Sequence, residues 1–147
     1  MTLTSTTEVE VRYAETDQMG VVHHSAYLVW FELARTRLCR DAGYSYARIE
    51  QDGYFLVVSG ADLKYREGAR YGETLQVTAR TDWVASRALQ FGYEVRQGAR
   101  LLAEGHTRHA WVDRATGRNC RLPAPLEPMF LELAGQDRLG RRSQASP

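Results

Sequence analysis

Lysine is almost missing from this chain: of 19 basic residues only Lys64 is not arginine, a lopsidedness that points to coding bias rather than to function. Net charge is equally sparse, because 18 acidic residues leave a balance of +1 and no field of one sign to draw nucleic acid or an anionic membrane. Cysteine is limited to Cys39 and Cys120, with neither CxxC nor mixed Cys/His spacing. That excludes a zinc-ribbon or dithiol redox reading, and both thiols are expected to be reduced and structural, with no metal site. No apolar run approaches the roughly 20 residues of a membrane-spanning helix. The opening "MTLTSTTEVE" has neither the basic segment nor the apolar core of a signal peptide. Phosphate-cradling glycine loops and dinucleotide fingerprints are absent as well. A cytoplasmic enzyme or binding protein is the expectation left standing. With 44% hydrophobic residues, 1–147 is expected to form a single domain with an ordered core over about 8–134 and a polar tail at 135–147. A chain of this size buries about 70% of its unfolded surface.

What is present is a change of period along the chain. The first seven residues hold four threonines and read as a loose end; Val9, Val11 and Tyr13 then alternate as a strand. From Ser25 to Ala42 the spacing becomes helical, with Tyr27, Trp30, Phe31, Ala34 and Leu38 on one face and Leu28, Val29 and Leu33 spreading apolar surface around it. A helix so broadly apolar should be wrapped by other structure. Ser25 is a suitable N-cap, Arg35, Arg37 and Arg40 complement the C-terminal dipole, and Gly43 suits the position after the cap. "YSYARIEQDG" allows a short helical turn. Period two then takes over: Phe55, Val57, Ala61, Leu63 and Tyr65 in one strand, Leu75, Val77, Ala79 and Trp83 in the next, and Leu89, Phe91, Tyr93 and Val95 in a third. A fourth runs from about Leu101 to Val112; Pro123, Pro125 and Pro128 end the sheet, and "PMFLELA" suits a last helical turn. One-sided alternation over short connections predicts an antiparallel meander. One helix covers five strands only if the sheet curls around it, which makes the predicted fold class α+β, the hotdog arrangement.

The segment before the helix, "TDQMGVVHHSAY", collects the proton-handling groups. Asp17 and Gly20 stand at the first and fourth positions of a type I turn, so Asp17 could simply close that turn. Alternatively, free N–H groups at a helix N-terminus can hold a developing oxyanion while a nearby carboxylate attacks or deprotonates water. His23 and His24 lack further ligands at metal-binding spacing. Glu32, nearly two turns into the helix, is a rival acid with a solvated role favoured; Ser59 reads as a structural strand serine. His106 and His109 fall on opposite faces of the last strand and cannot act as a pair.

Asp17, Gly20, Val22, His24 and Tyr27, with "FELAR" continuing the helix, resemble the hotdog-fold acyl-CoA thioesterases of the 4-hydroxybenzoyl-CoA thioesterase type, from about Val9 to Pro123. His23 and Gly68 depart from the pattern, standing where an aromatic residue and a proline are usual. The resemblance implies hydrolysis of an acyl-CoA to free acid and CoA, without metal or redox cofactor, CoA being part of the substrate. It implies Asp17 as nucleophile or general base and the His24 N–H as oxyanion donor, with the His24 imidazole free to orient substrate or water. Gly20, Val22 and Tyr27 would line the substrate site. CoA phosphates call for exposed cations, and Arg87, in the turn "VASRA", is the candidate contact with Lys64 and Arg66 on the outward strand face behind it, although solvated strand charges explain all three equally well. It further implies a homo-oligomer, a tetramer built from dimers, with no nucleic-acid partner and no membrane insertion. A hotdog dehydratase or hydratase and a non-catalytic acyl-CoA-binding scaffold remain alternatives, and the acyl group is open between aromatic and short or medium aliphatic.

Overall fold

The alternating segments form one antiparallel sheet of five strands in a computed structural model of the protein, which describes residues 3–140. The strands are β1 (Thr4–Glu10), β2 (Tyr54–Tyr65), β3 (Thr74–Val84), β4 (Ala88–Gln97) and β5 (Arg100–Asp113), in spatial order β1-β3-β4-β5-β2. The long helix α1 (Ala26–Asp41) lies on the inner face of this curled sheet, joined by the shorter helices α2 (Tyr46–Gln51) and α3 (Glu127–Ala134) and by 3-10 turns at Tyr13–Glu15 and Ala124–Leu126. This is the hotdog arrangement.

The helix is held by the stripe its spacing predicts. Tyr27, Trp30, Phe31, Ala34 and Leu38 are all buried, and Phe31 stacks flat on Tyr93 of β4 with ring centroids 4.2 Å apart. Full burial of side chains of this size stabilises by about 1.5–3 kcal/mol each. Gly105 of β5 makes the approach possible: a Cβ there would run into the Asp62 carbonyl oxygen and stand 2.9 Å from Phe31 Cε2. The helix ends as its sequence suggests. Gly43 takes φ +102, its N–H donates to the Arg40 carbonyl at 3.0 Å, and the Tyr44 N–H donates to that of Cys39 at 3.1 Å. That pair of bonds is a Schellman cap.

Several expectations are corrected. Residues from Thr4 onward are not a loose end but β1, in register with β3 from Thr4↔Arg80 to Glu10↔Thr74. Threonine is β-branched and suits a strand even where it is not apolar. Tyr13 has left the strand for a 3-10 turn, Tyr13–Glu15, and is exposed. Ser25 sits at the N-cap position without capping, since its hydroxyl is engaged by His23 Nδ1 at 2.7 Å. Arg35 does not serve the exposed C-terminus of α1; it is buried. A bulge between Thr81 and Trp83 inverts the phase of β3, so that Thr81 and Val84 are buried while Trp83 is only half-buried. A second bulge between Val58 and Gly60 does the same to β2. There Tyr54, Leu56 and Leu63 pack on the core, while Phe55 and Val57 are exposed. The segment after α3 is docked as far as it is described. Gln136 bonds both the N–H and the carbonyl of Val84 at 2.9 Å, and the Gly140 N–H donates to the same carbonyl at 2.8 Å. The remainder of the expected tail, 141–147, lies outside the described residues.

Candidate active site

The loop between β1 and α1 is fastened at both ends. Short antiparallel bridges join Thr16 to Val22 and Val21 to Arg70, and the Val22 N–H donates to the Ala69 carbonyl at 2.9 Å. Glu15 anchors the other side: its carboxylate accepts from the Arg12 N–H at 2.8 Å and from the Trp30 indole at 2.9 Å, while its carbonyl takes the His23 N–H at 2.7 Å. Burial pushes the Glu15 carboxyl up, but hydrogen bonds from the Arg12 amide and Trp30, with the Arg12 charge, outweigh it and hold the group below its ordinary range. Glu15 thus ties the loop to the first turns of α1. Nothing in the Asp/Gly/His pattern announces that role.

Within this frame Asp17 closes the turn that its spacing predicts. The Gly20 N–H donates to the Asp17 carbonyl at 3.0 Å, Gly20 takes φ +80, and the Met19 N–H donates to Asp17 Oδ1 at 2.8 Å. That occupies one carboxylate oxygen. Asp17 is half-buried, and among the described residues Oδ2 has no hydrogen-bond donor. The turn role and a chemical role are therefore compatible in one side chain.

Asp17 lines a cleft of about 300 Å³ together with Met19, Val21, Val22, His24, Tyr27, Tyr65, Arg66, Glu67 and Gly68. At its inner end α1 begins. The His24 carbonyl is held by the Tyr65 hydroxyl at 2.9 Å, and the His24 N–H has no acceptor among the described residues. Tyr27 is buried at the cleft wall, its ring edge-on to Tyr65 with centroids 5.3 Å apart, and burial raises its hydroxyl's pKa against the opposing effect of the Ala69 backbone. The His23 and His24 rings lie together at 4.0 Å on the exposed rim. Gly68 permits the close passage of the loop, since a Cβ there would stand 2.9 Å from Val21 Cγ1. A proline ring at that position would require Val21 to shift.

The expected residues divide accordingly. Asp17, Val22, His24 and Tyr27 meet in one cleft, and Gly20 shapes its turn. Arg87 does not join them. It lies in the β3–β4 connection beside the end of β5 marked by Ala88↔Ala110, whereas Tyr65 pairs with Ala103. Seven residues of strand separate those rows, about 23 Å. Arg66, expected with Lys64 only as a cation behind Arg87, instead lines the cleft itself, 3.3 Å from Glu104, and the β2–β5 register is what sets it apart from Arg87. Glu32 is exposed and lines a different cleft, and Ser59 is exposed in the β2 bulge. His106 points outward to Asp62 at 2.9 Å while His109 is fully buried, the opposite-face placement expected of them.

An antiparallel sheet curled on a central helix is the hotdog fold, and comparison with known proteins places this chain within one of its families. The chain belongs to the Thioesterase-like superfamily, whose family model matches residues 11–133, and by family it is a thioester hydrolase. It is 38% identical over 108 residues to the "Putative acyl-CoA thioesterase YneP" of Bacillus subtilis, covering 73% of this chain and 78% of that one. Among solved structures it is similar to the hypothetical protein TT1821 from Thermus thermophilus, with 44% identity and a TM-score of 0.84 over 89% of this chain and 98% of that one. It is also similar to the DHNA-CoA thioesterase from Staphylococcus aureus, with 30% identity and a TM-score of 0.82 over 97% and 91% of the two chains.

Proposed function

We propose that this protein hydrolyses an acyl-CoA to the free acid and CoA, with Asp17 as nucleophile or general base and the His24 N–H at the head of α1 as oxyanion donor. One observation carries the reading: the unengaged Oδ2 of Asp17 and the free N–H of His24 share one cleft. As the tetrahedral intermediate forms, its oxygen gains charge where an oriented donor and the positive end of α1 stabilise it. In the general-base form, Asp17 takes a proton from water as the water oxygen bonds the thioester carbon. Collapse expels the CoA thiolate, which recovers that proton as the thiol. In the nucleophilic form, Oδ2 bonds the carbon, the thiolate leaves, and water cleaves the resulting anhydride. Gly20, Val22 and Tyr27 shape and line the acyl-binding wall, Arg66 stands nearest for the CoA moiety, and Arg87 reaches a phosphate only at the far end of an extended CoA or from a second copy.

The acyl-CoA assignment is supported by the names of relatives such as YneP. The protein acts in the cytoplasm as a homotetramer, a dimer of dimers with each site between two copies. Among the described residues no helix is long and apolar enough to cross a membrane.

The test is Asp17→Asn. The amide retains an oxygen for the Met19 N–H, so the turn, melting temperature and acyl-CoA binding should persist. It is neither basic nor usefully nucleophilic, so kcat should fall by at least ~10²-fold. Glu32→Gln should lose little. An active Asp17→Asn protein would return Asp17 to the turn alone, and a dead Glu32→Gln would move the chemistry onto the helix.

A further inference from the structure

A second cleft, of about 230 Å³, lies between α1 and β2 and begins at Leu28, the residue after Tyr27 of the first. Leu28, Val29, Val58 and Ala61 form its apolar walls, the exposed Glu32 lines it from α1, and Arg35 and Thr107 reach it from the interior. Arg35 is only 7% exposed, and its Nε has no acceptor among the described residues. Behind it the polar groups are neutral. The Tyr93 hydroxyl and Thr107 hydroxyl are 2.6 Å apart, and Thr107 Oγ1 lies 2.8 Å from His109 Nε2. His109 stays uncharged because burial, and then the Arg35 charge, push its pKa down to about 3. Glu32, one turn earlier on α1, acts on Arg35 through space only. Arg35 thus keeps its charge beside the neutral hydroxyls of Tyr93 and Tyr46 and, among the described residues, makes no ion pair with Glu32, so a carboxylate entering this mostly apolar cleft would be its first directly paired anion.

We infer that this cleft receives the far end of the acyl group, and that this end is a carboxylate paired with Arg35. The inference rests on the thioesterase reading above and adds the substrate class, a monothioester of a medium-chain dicarboxylic acid. Length and volume agree with it. Tyr27, on the wall of the first cleft, precedes Arg35 by eight residues, about 12 Å of helix. The arginine side chain also leans back toward the helix N-terminus, which shortens the span. A cavity of about 150 Å³ holds benzene, so one of this size takes roughly six to eight non-hydrogen atoms. An acyl group ending in methyl would fill the same walls and leave the guanidinium unpaired.

Matched pairs of CoA esters decide the matter: hexanoyl against adipoyl and octanoyl against suberoyl, followed by thiol release with the full-length protein. The ω-carboxylates should be preferred by about 10- to 100-fold in kcat/KM, the worth of one hydrogen-bonded charge pair. Arg35→Met should remove that preference by lowering the ω-carboxylate rates while sparing the ω-methyl ones. Asp17→Asn should depress both series alike. Equal rates, or a preference for ω-methyl esters, in the wild-type protein would overturn the subsite and leave the thioesterase standing; this comparison needs no variant to fold. An unchanged ratio in Arg35→Met with loss of oligomeric mass would assign Arg35 to a carboxylate of a second copy and also overturn it. Failure to cleave any ester of either series would remove the thioesterase reading itself.

Discussion

His109 shows how a single buried side chain couples this fold to pH. It lies fully buried on the inner face of β5, bonded to Thr107, and its folded pKa of about 3 is far below the 6.5 of an exposed imidazole. Above pH 6.5 both the native and unfolded forms are neutral and the group carries no penalty. As pH falls below 6.5 the unfolded chain binds a proton that the native state refuses, so stability declines until the folded pKa is reached. The loss should be about 2 kcal/mol by pH 5. Glu15, also depressed, acts in the same direction but only below its unfolded value of 4.5, so the two windows separate. Urea unfolding at pH 7 and pH 5 should show this loss in the wild type and its absence in His109→Gln, which keeps a polar partner for Thr107. Parallel declines in the two proteins would place the pH dependence elsewhere.

Between β4 and β5, two glycines on opposite faces of the sheet separate a rigid approach from a soft one. A Cβ at Gly105 meets the Asp62 backbone and the Phe31 ring, neither of which can withdraw without moving β2 or α1. A Cβ at Gly92 meets only the Arg80 guanidinium, the flexible end of a side chain. Gly105→Ala should therefore cost about 1–3 kcal/mol, the usual range for overpacking, while Gly92→Ala stays close to wild type. Equal melting temperatures for the two variants would show that α1 can back away from the sheet. The same elements mark how far the sequence could be read. The stripe, limits and C-terminal cap of α1 are local, and so are the turn at Asp17 and Gly20 and the step from loop to helix. The bulges in β2 and β3 are not: period two continues through Ser59 and Asp82 in the sequence, and only pairing with β5 and β4 breaks it. For the same reason Tyr65, 41 residues beyond His24, could not be assigned to the site until the strand register was known. Arg35 misled because its charge suits a helix C-terminus, while its position, one after Ala34 and four after Phe31, turns it inward.

The whole chain has an unfinished side. Leu28, Val29 and Leu33 on α1 are 39%, 54% and 50% exposed, and Phe55, Val57 and Val58 are exposed on β2, which among the described residues pairs only with β5 and leaves its outer backbone edge open. A broad apolar face beside an open strand edge invites pairing with another chain. A second copy would close the mouth of the Arg35 cleft with the same contacts, which is why assembly and catalysis are expected to fall together. Light scattering on the purified protein at micromolar concentration should give four times the 16.7 kDa chain mass. Leu33→Glu places a charge on that face without touching either cleft, and should yield smaller species together with a sharp loss of kcat. A monomeric wild type would sink both the tetramer and the shared site. A Leu33→Glu protein that dissociates yet keeps full activity would confine the chemistry to Asp17 and His24 of one chain.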